Sequence, residues 1–267
     1  MHFAYRFLML MFVFLPIAHA NSFGVSLDKN FYFQDFNDRE IEITAKNDSN
    51  KLIFADIEVY EGRIGSSDKV EYDLEKKVHN YDILPESVAI PAKQTKKIRL
   101  VRAASSKTIN TEEYYRVRII PKSADAALKD NPALLAALST EDKQQLEDTQ
   151  NISGAVRLYI GSGSVLIVQD KKTASPKSLE IRRKRTADGI DFNLLNTSAT
   201  SLDIKQLRVY FGAKSLSLGN LALRGNKGTT VSFTNAALTG NSLTGNENFE
   251  KAKFVAQDNQ EYSITIQ

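Results

Sequence analysis

The chain has 267 residues, with 35 Lys and Arg against 32 Asp and Glu, a formal net charge of +3. It holds no cysteine and no tryptophan, and beyond residue 20 its single histidine is His79. That removes disulfide scaffolds, thiolate metal centres and most nucleophile–histidine catalysis, and so weak a positive balance gives no case for nucleic acid as a partner.

Residues 1–20 read as an export signal. Arg6 supplies positive charge, an apolar stretch over 7–18 carries Leu8, Leu10, Phe12, Phe14 and Ile17, and Ala18-His19-Ala20 is a small-x-small cleavage site. The apolar run is shorter than the roughly 20 residues of a membrane span. The expectation is cleavage after Ala20, no stable membrane insertion, and a location outside the cytoplasm. What remains is long enough for two ordinary domains or one large one, without disulfides.

From residue 22 to about 121 the pattern is one of strands. Ile41, Ile43 and Ala45 alternate with charged residues, and Asn47-Asp48-Ser49-Asn50 forms a turn cluster. Ile53, Ala55, Ile57 and Val59 make the next alternating set. Ile98 and Leu100 follow, then Tyr115, Val117 and Ile119 opposite Tyr114, Arg116, Arg118 and Ile120. Short strands with closely spaced turns point to a β-sandwich. Residues 62–80 are charged and weakly patterned, and read as a hairpin loop or surface insertion, with His79 a solvated loop residue.

Residues 123–148 are rich in alanine and leucine. Ser139 or Thr140 stands where a helix cap belongs, and Asn131-Pro132 interrupts. This predicts a helical or mobile insertion between two strands. Over 151–160 the even positions Ile152, Gly154, Val156, Leu158 and Ile160 are apolar or small, while the odd positions are more polar. Gly161-Ser162-Gly163 interrupts before the apolar run resumes over 164–168, the mark of a bulge, bend or sheet switch.

A polar stretch over 170–177 predicts a boundary between a first domain, 21–172, and a second, 177–267. Strands are expected at 179–185, 189–195, 202–211, 229–233, 252–255 and 262–266, with a loop over 236–248. Arg182-Arg183-Lys184-Arg185 reads as a charged strand edge that discourages strand addition. No internal repeat of fixed period is visible.

The residues also resemble a known family, the periplasmic PapD-like pilus chaperones, in a form like its alternate branch. Val25-Ser26-Leu27-Asp28 and Ile41-Glu42-Ile43-Thr44-Ala45-Lys46-Asn47 resemble its first two strands. Leu84-Pro85, Ile90-Pro91-Ala92-Lys93-Gln94 and Ile98-Arg99-Leu100 resemble its proline-spaced stretch. Tyr114-Tyr115-Arg116-Val117 with Pro121 is similar to its sixth strand, and Val156-Arg157-Leu158-Tyr159 to its seventh.

The resemblance implies an all-β fold of two immunoglobulin-like sandwiches at an angle, with a cleft between them and a helical insertion before the seventh strand. It implies a periplasmic chaperone that stabilises pilus or fimbrial subunits by donor-strand complementation and delivers them to an outer-membrane usher. Ile152, Val156, Leu158 and Ile160 would be the donor residues, since a lent strand inserts one face only. The same face can equally pack into the chain's own core. Arg157 matches the basic position that anchors a subunit's terminal carboxylate. The family's first-strand arginine aligns with Phe31, so Lys29, Arg116 or Arg118 would supply the second cation. No catalytic residue, metal or cofactor is implied. The competing reading is a secreted β-sandwich binding module, adhesin-like or carbohydrate-binding, which the lack of tryptophan disfavours. A paired-carboxylate hydrolase is disfavoured too, because Glu112 and Glu113 point to opposite faces of a strand.

Overall fold

A computed structural model describes residues 22–67, 69–78, 80–103, 112–150, 158–170, 175–244 and 247–266. They form two β-sandwiches, each around its own apolar cluster. Among the described residues no helix is long and apolar enough to cross a membrane.

In the first sandwich the strands are β1 (Ser22–Leu27), β2 (Phe31–Asp35), β3 (Glu40–Asn47), β4 (Ile53–Ile64), β5 (Val70–Lys77), β6 (Tyr81–Leu84), β7 (Ser87–Ile90), β8 (Thr95–Arg102), β9 (Glu113–Lys122), β10 (Leu158–Ile160) and β11 (Ser162–Gln169). One sheet has the order β10-β1-β3-β8-β6; the other runs β2-β11-β9-β4-β5, with β7 also on β4. The alternation visible in the sequence decides which side chains meet. Ile43 and Ala45 face Ile57, Val59, Ile98, Leu100, Val117, Ile119, Leu166 and Val168 in one buried cluster, each large aliphatic contributing about 1.5–3 kcal/mol.

Residues 62–80, expected as a hairpin loop or surface insertion, form a hairpin with more strand than loop. β4 continues to Ile64 and β5 returns beside it, a hairpin whose residues are largely exposed. With little apolar burial on either face, its alternation carries no signal of the kind that reveals a core strand. His79 lies outside the described residues.

The glycine step at 161–163 is a sheet switch. β10 pairs in parallel with β1 in one sheet, and two residues later β11 pairs with β9 and β2 in the other. A side chain at Gly161 would place its Cβ 2.3 Å from the Ile119 carbonyl oxygen, so only glycine lets the chain cross there. The Leu27 amide donates to Ser162 Oγ at 3.0 Å, and the Ser164 hydroxyl donates to the Lys29 carbonyl. These bonds tie the end of β1 and the following turn to the crossing.

Between β9 and β10 stand three helices: α1 (Ala124–Asp130), α2 (Ala133–Ala136) and α3 (Thr140–Gln150). Ser123 caps α1, and Ser139 Oγ accepts from the Asp142 amide at the start of α3. Ala127, Leu134, Leu138 and Leu146 pack on Phe54 of β4, and the Leu52 amide donates to Gln145 Oε1 at 2.8 Å. The insertion is thus docked on the outer face of one end of the six-stranded sheet.

The second sandwich pairs a sheet of β12 (Leu179–Arg185), β13 (Gly189–Asn196) and β16 (Gly228–Thr234) with one of β15 (Lys214–Leu223), β14 (Leu202–Phe211), β17 (Lys251–Val255) and β18 (Glu261–Thr265). β12 is an edge strand bearing the basic cluster, and Arg183 folds back to the Glu247 carbonyl and the Phe249 ring. β15 was not expected from the sequence. Its apolar positions change parity between Leu218 and Leu221, because the β14–β15 ladder is irregular there: Gly219 and Gln206 take positive φ and Asn220 Oδ1 accepts from the Gln206 amide. The loop expected over 236–248 contains a short helix, α4 (Asn235–Gly240), capped by Thr234.

The structure also holds a repeat hidden in the sequence. Asn47 ends β3 and Asn196 ends β13, both fully buried. Asn47 Nδ2 donates to the carbonyls of Lys51, Ile90 and Pro91, while its Oδ1 accepts from the Ser49 amide and hydroxyl. Asn196 Nδ2 donates to Thr200, Leu223 and Arg224, and its Oδ1 accepts from the Ser198 amide and hydroxyl. Even the facing turns match, with Lys93 and Asn226 both at positive φ and donating to the carbonyls of Ser49 and Ser198. The two sandwiches close one corner by one device, carried by only an Asn-x-Ser in each.

Candidate functional site

The outer face of the six-stranded sheet carries the unusual chemistry. Directly opposed residues on neighbouring strands share a face. Phe31 of β2, Val165 of β11, Arg116 of β9 and Tyr60 of β4 therefore stand in one row across the sheet. Gly163, Arg118 and Glu58 form the row on one side; Phe33, Ile167, Tyr114 and Gly62 form the row on the other.

Arg116 is half-buried, and among the described residues no carboxylate lies within ion-pair distance of it. Its guanidinium leans over β11 because Gly163 has no side chain. A Cβ on Gly163 would lie 2.8 Å from Arg116 Nε and 3.0 Å from Nη2. Burial pushes the Tyr72 hydroxyl up, against the opposing field of Arg116. Arg118 is 5.9 Å from the centre of the Tyr60 ring. Beside it burial works to raise the Glu58 carboxyl, yet the Lys77 ammonium at 2.5 Å, the Tyr60 hydroxyl and the fields of Lys77 and Arg118 hold it below the usual range. Arg118 thus faces a carboxylate already engaged, whereas among the described residues Arg116 faces none.

Toward the second sandwich the face is covered by a polar junction. Glu112 accepts from the amide and the hydroxyl of Ser201, the latter at 2.8 Å, and from the Tyr114 hydroxyl. Gln169 Nε2 donates to the Ser201 carbonyl at 3.0 Å, and the Arg224 guanidinium lies 6.0 Å from the centre of the Tyr114 ring. Lys29 stands over the Tyr32 ring at 5.5 Å and its field reaches Asp203 of the second sandwich. The row holding Arg116 lies just outside this junction.

Of the residues singled out in the sequence, Arg116 and Arg118 share this face, and Lys29 sits in the turn before β2. Ile152, Val156 and Arg157 lie outside the described residues. Leu158 opens β10, and Ile160 closes it with 49 % of its surface exposed. β10 is the last strand of its sheet, so among the described residues its outer edge has no partner strand. Leu166 and Val168, of the same parity as Ile160, are buried in the first sandwich's own core. Sequence reasoning named Gly163 only as part of an interruption in a strand, and did not single out Val165 or Tyr60. Their only signal is register, which a single sequence does not print. Among the described residues no group of three or more His, Cys, Asp or Glu side chains could hold a metal ion.

No family model matches the chain, and no curated protein does. Its fold is similar to solved structures of bacterial chaperones. The E. coli chaperone DraB is 10 % identical, with 92 % of this chain and 98 % of that one covered and a TM-score of 0.46. The Pseudomonas aeruginosa CupB2 chaperone is 8 % identical, with 90 % and 100 % covered and a TM-score of 0.47. The SafB chaperone of Salmonella enterica, solved in complex with the SafA pilin, is 12 % identical, with 91 % and 97 % covered and a TM-score of 0.46.

Proposed function

We propose that this chain is a periplasmic chaperone, exported by residues 1–20, that holds pilus subunits by lending them a strand and passes them to an outer-membrane usher. The sandwiches would correspond to domains 21–172 and 177–267. The observation that carries the reading is a strand end, β10, whose outer edge has no partner strand and whose apolar residue, Ile160, is exposed, together with a half-buried guanidinium, Arg116, that meets no carboxylate, both among the described residues. A guest sandwich missing its last strand needs backbone partners along an edge and apolar filling on alternate positions. β10 and the segment before it, with Ile152, Val156, Leu158 and Ile160, would supply both. Arg116 would fix the register by binding the guest's terminal carboxylate with charge-assisted bonds. Arg118 and Lys29 would reinforce the positive field, and Arg157 would add a second contact from the donor segment itself.

The test is co-expression in a bacterial periplasm with a pilus subunit that lacks its final strand. The expected result is a one-to-one complex that protects the subunit from degradation, with yield lost in Arg116→Gln while that variant's circular dichroism stays unchanged. Undiminished rescue by a folded Arg116→Gln variant refutes the anchor. No rescue by the unaltered protein of any co-encoded subunit refutes the function.

A further inference from the structure

The second sandwich concentrates charge where its fold has no use for it. Residues 177–267 hold 12 Lys and Arg against 8 Asp and Glu, whereas residues 21–172 hold 22 against 24. Four of those cations are consecutive, Arg182, Arg183, Lys184 and Arg185, and all four are exposed on β12. β12 is the edge of its sheet, and among the described residues no backbone hydrogen bond reaches it from the side away from β13. Charge on an edge strand deters pairing with a like strand, but the other edges of this sandwich manage almost without it. β16 has no charged residue, β15 has only Lys214 and β18 only Glu261. Neighbours do little to neutralise the four. Arg182 reaches Glu180 at 3.2 Å, but its side chain is 64 % exposed, and such a pair holds little energy. Lys184 stands opposite Asp191, whose carboxylate accepts from the Ser232 hydroxyl at 2.7 Å. Arg183 turns to the Glu247 carbonyl and the Phe249 ring, and Arg185 stands opposite Ile190.

We propose that the open edge of β12 is a docking site for an extended acidic segment of a partner protein, added as a further strand beside it. Backbone groups of alternate β12 residues point away from β13, so a strand laid there gains ladder bonds. Successive side chains alternate faces. Arg182 and Lys184 share the outer face with Asn193 and Asp191, while Arg183 and Arg185 lie on the other. A segment with carboxylates at alternate positions thus meets a pair of cations at strand spacing on either face. Three of the four cations are arginines, which can grip a carboxylate bidentately. A neutral strand would gain the backbone bonds alone, and a basic strand, or a second β12, would be repelled. The charges that close this edge to like strands open it to an acidic one. The site involves neither β10 nor Arg116, and it stands whether or not the chain holds pilus subunits.

The test uses the mature chain and three labelled strand-length peptides, read by fluorescence anisotropy at physiological ionic strength. One alternates Glu and Thr. One replaces each Glu by Gln. The third keeps the Glu/Thr sequence but carries N-methyl groups on its two central residues, which removes a donor from each edge of the strand. The Glu/Thr peptide is expected to bind, with each of the others weaker by about tenfold, equivalent to about 1.4 kcal/mol. The triple variant Arg182→Gln, Lys184→Gln, Arg185→Gln should bind the Glu/Thr peptide no better than the unaltered chain binds the Gln peptide, with its calorimetric transition unchanged. Arg182→Lys with Arg185→Lys, which keeps the charge, should retain most of the affinity and guards against misfolding as the cause. No binding of the Glu/Thr peptide, or undiminished binding by the folded triple variant, overturns the proposal. Equal binding of the N-methyl peptide shows a charged surface without strand pairing and overturns it too, as does sedimentation with phosphatidylglycerol vesicles by a chain that leaves the peptide free. Self-assembly in analytical ultracentrifugation that the triple variant dissolves would give the edge to a second copy, through Glu71, Asp73 and Glu75 of the edge strand β5, and overturns it likewise.

Discussion

Replacing Gly163 by alanine separates the stability of this fold from its proposed function. Gly163 lies in β11 and is not among the glycines with positive φ, so alanine is compatible with its backbone. The unfolded chain loses freedom, which favours the folded state by about 0.4–1 kcal/mol. The new methyl, however, would stand 2.8 Å from Arg116 Nε, 3.0 Å from Nη2 and 3.1 Å from Cζ. All three atoms are the far end of a flexible side chain, so the guanidinium moves and the sheet does not. To reach ordinary contact it must retreat by roughly half an ångström or more, enough to spoil a bidentate bond to a carboxylate. A hydrogen bond to a charged group is worth about 1.5–3 kcal/mol, so affinity for a free-acid peptide should fall roughly tenfold to a hundredfold. Binding of the matching amide should be unchanged. Scanning calorimetry should show a melting temperature equal to or above that of the unaltered protein. Gly161→Ala is the control, because there the methyl meets the Ile119 carbonyl at 2.3 Å, a backbone atom with no room to retreat. It should destabilise the first sandwich. If Gly163→Ala folds normally and binds the acid with undiminished affinity, Gly163 is not the seat of a working Arg116.

The matching corners make a stability prediction: Asn47→Ala and Asn196→Ala each remove the side chain that joins three carbonyls and a serine, at about 2–4 kcal/mol from several bonds of 0.5–1.5 kcal/mol each. Each should lower the calorimetric transition of its own sandwich only, and a loss below about 1 kcal/mol in both would refute the structural role. Asp203 carries a carboxyl raised by burial, which outweighs Lys205 at 3.3 Å and the field of Lys29. Such an acid costs stability when ionised, so Asp203→Asn should stabilise at neutral pH, and the gain should fade as pH falls through the raised folded value and vanish below the ordinary 3.8. A gain that persists at pH 3, or a loss at pH 7, measured by thermal unfolding across pH, contradicts that balance.

How much of this was legible depends on whether a residue's role lies along its own strand or between strands. The core was readable because alternation is a local signal: Ile53, Ala55, Ile57 and Val59, then Tyr115, Val117 and Ile119, are buried as their parity predicts. The helical insertion was readable from its leucines and the cap expected at Ser139 or Thr140, which Ser139 supplies; the Ser123 cap was not. β15 escaped because a bulge moves its apolar residues from even to odd positions, so neither parity is satisfied over its length. The repeated corner escaped because only an Asn and a Ser recur, while every acceptor is a backbone carbonyl with no letter in the sequence. Arg116 was a named candidate, but one of two arginines on one strand face. Its separation from Arg118 comes from neighbours on β4 and β11: Glu58 is opposite Arg118, and Val165 is opposite Arg116.

The two glycines of 161–163 show why motif reading stops short of function. In sequence they are one Gly-x-Gly step with one meaning, a departure from regular strand. In the fold they answer to different neighbours. Gly161 clears a carbonyl on β9 and so permits the chain to change sheets, leaving Ile160 on an open edge. Gly163 clears a guanidinium from β9 and so lets Arg116 lie over β11. One acts where the chain leaves β10 in the first sheet, the other on the outer face of the second sheet. A chain that needed only to end a strand pairing would have been served by the first glycine alone. The second has no backbone reason to be glycine, and the one it does have is the side chain it accommodates.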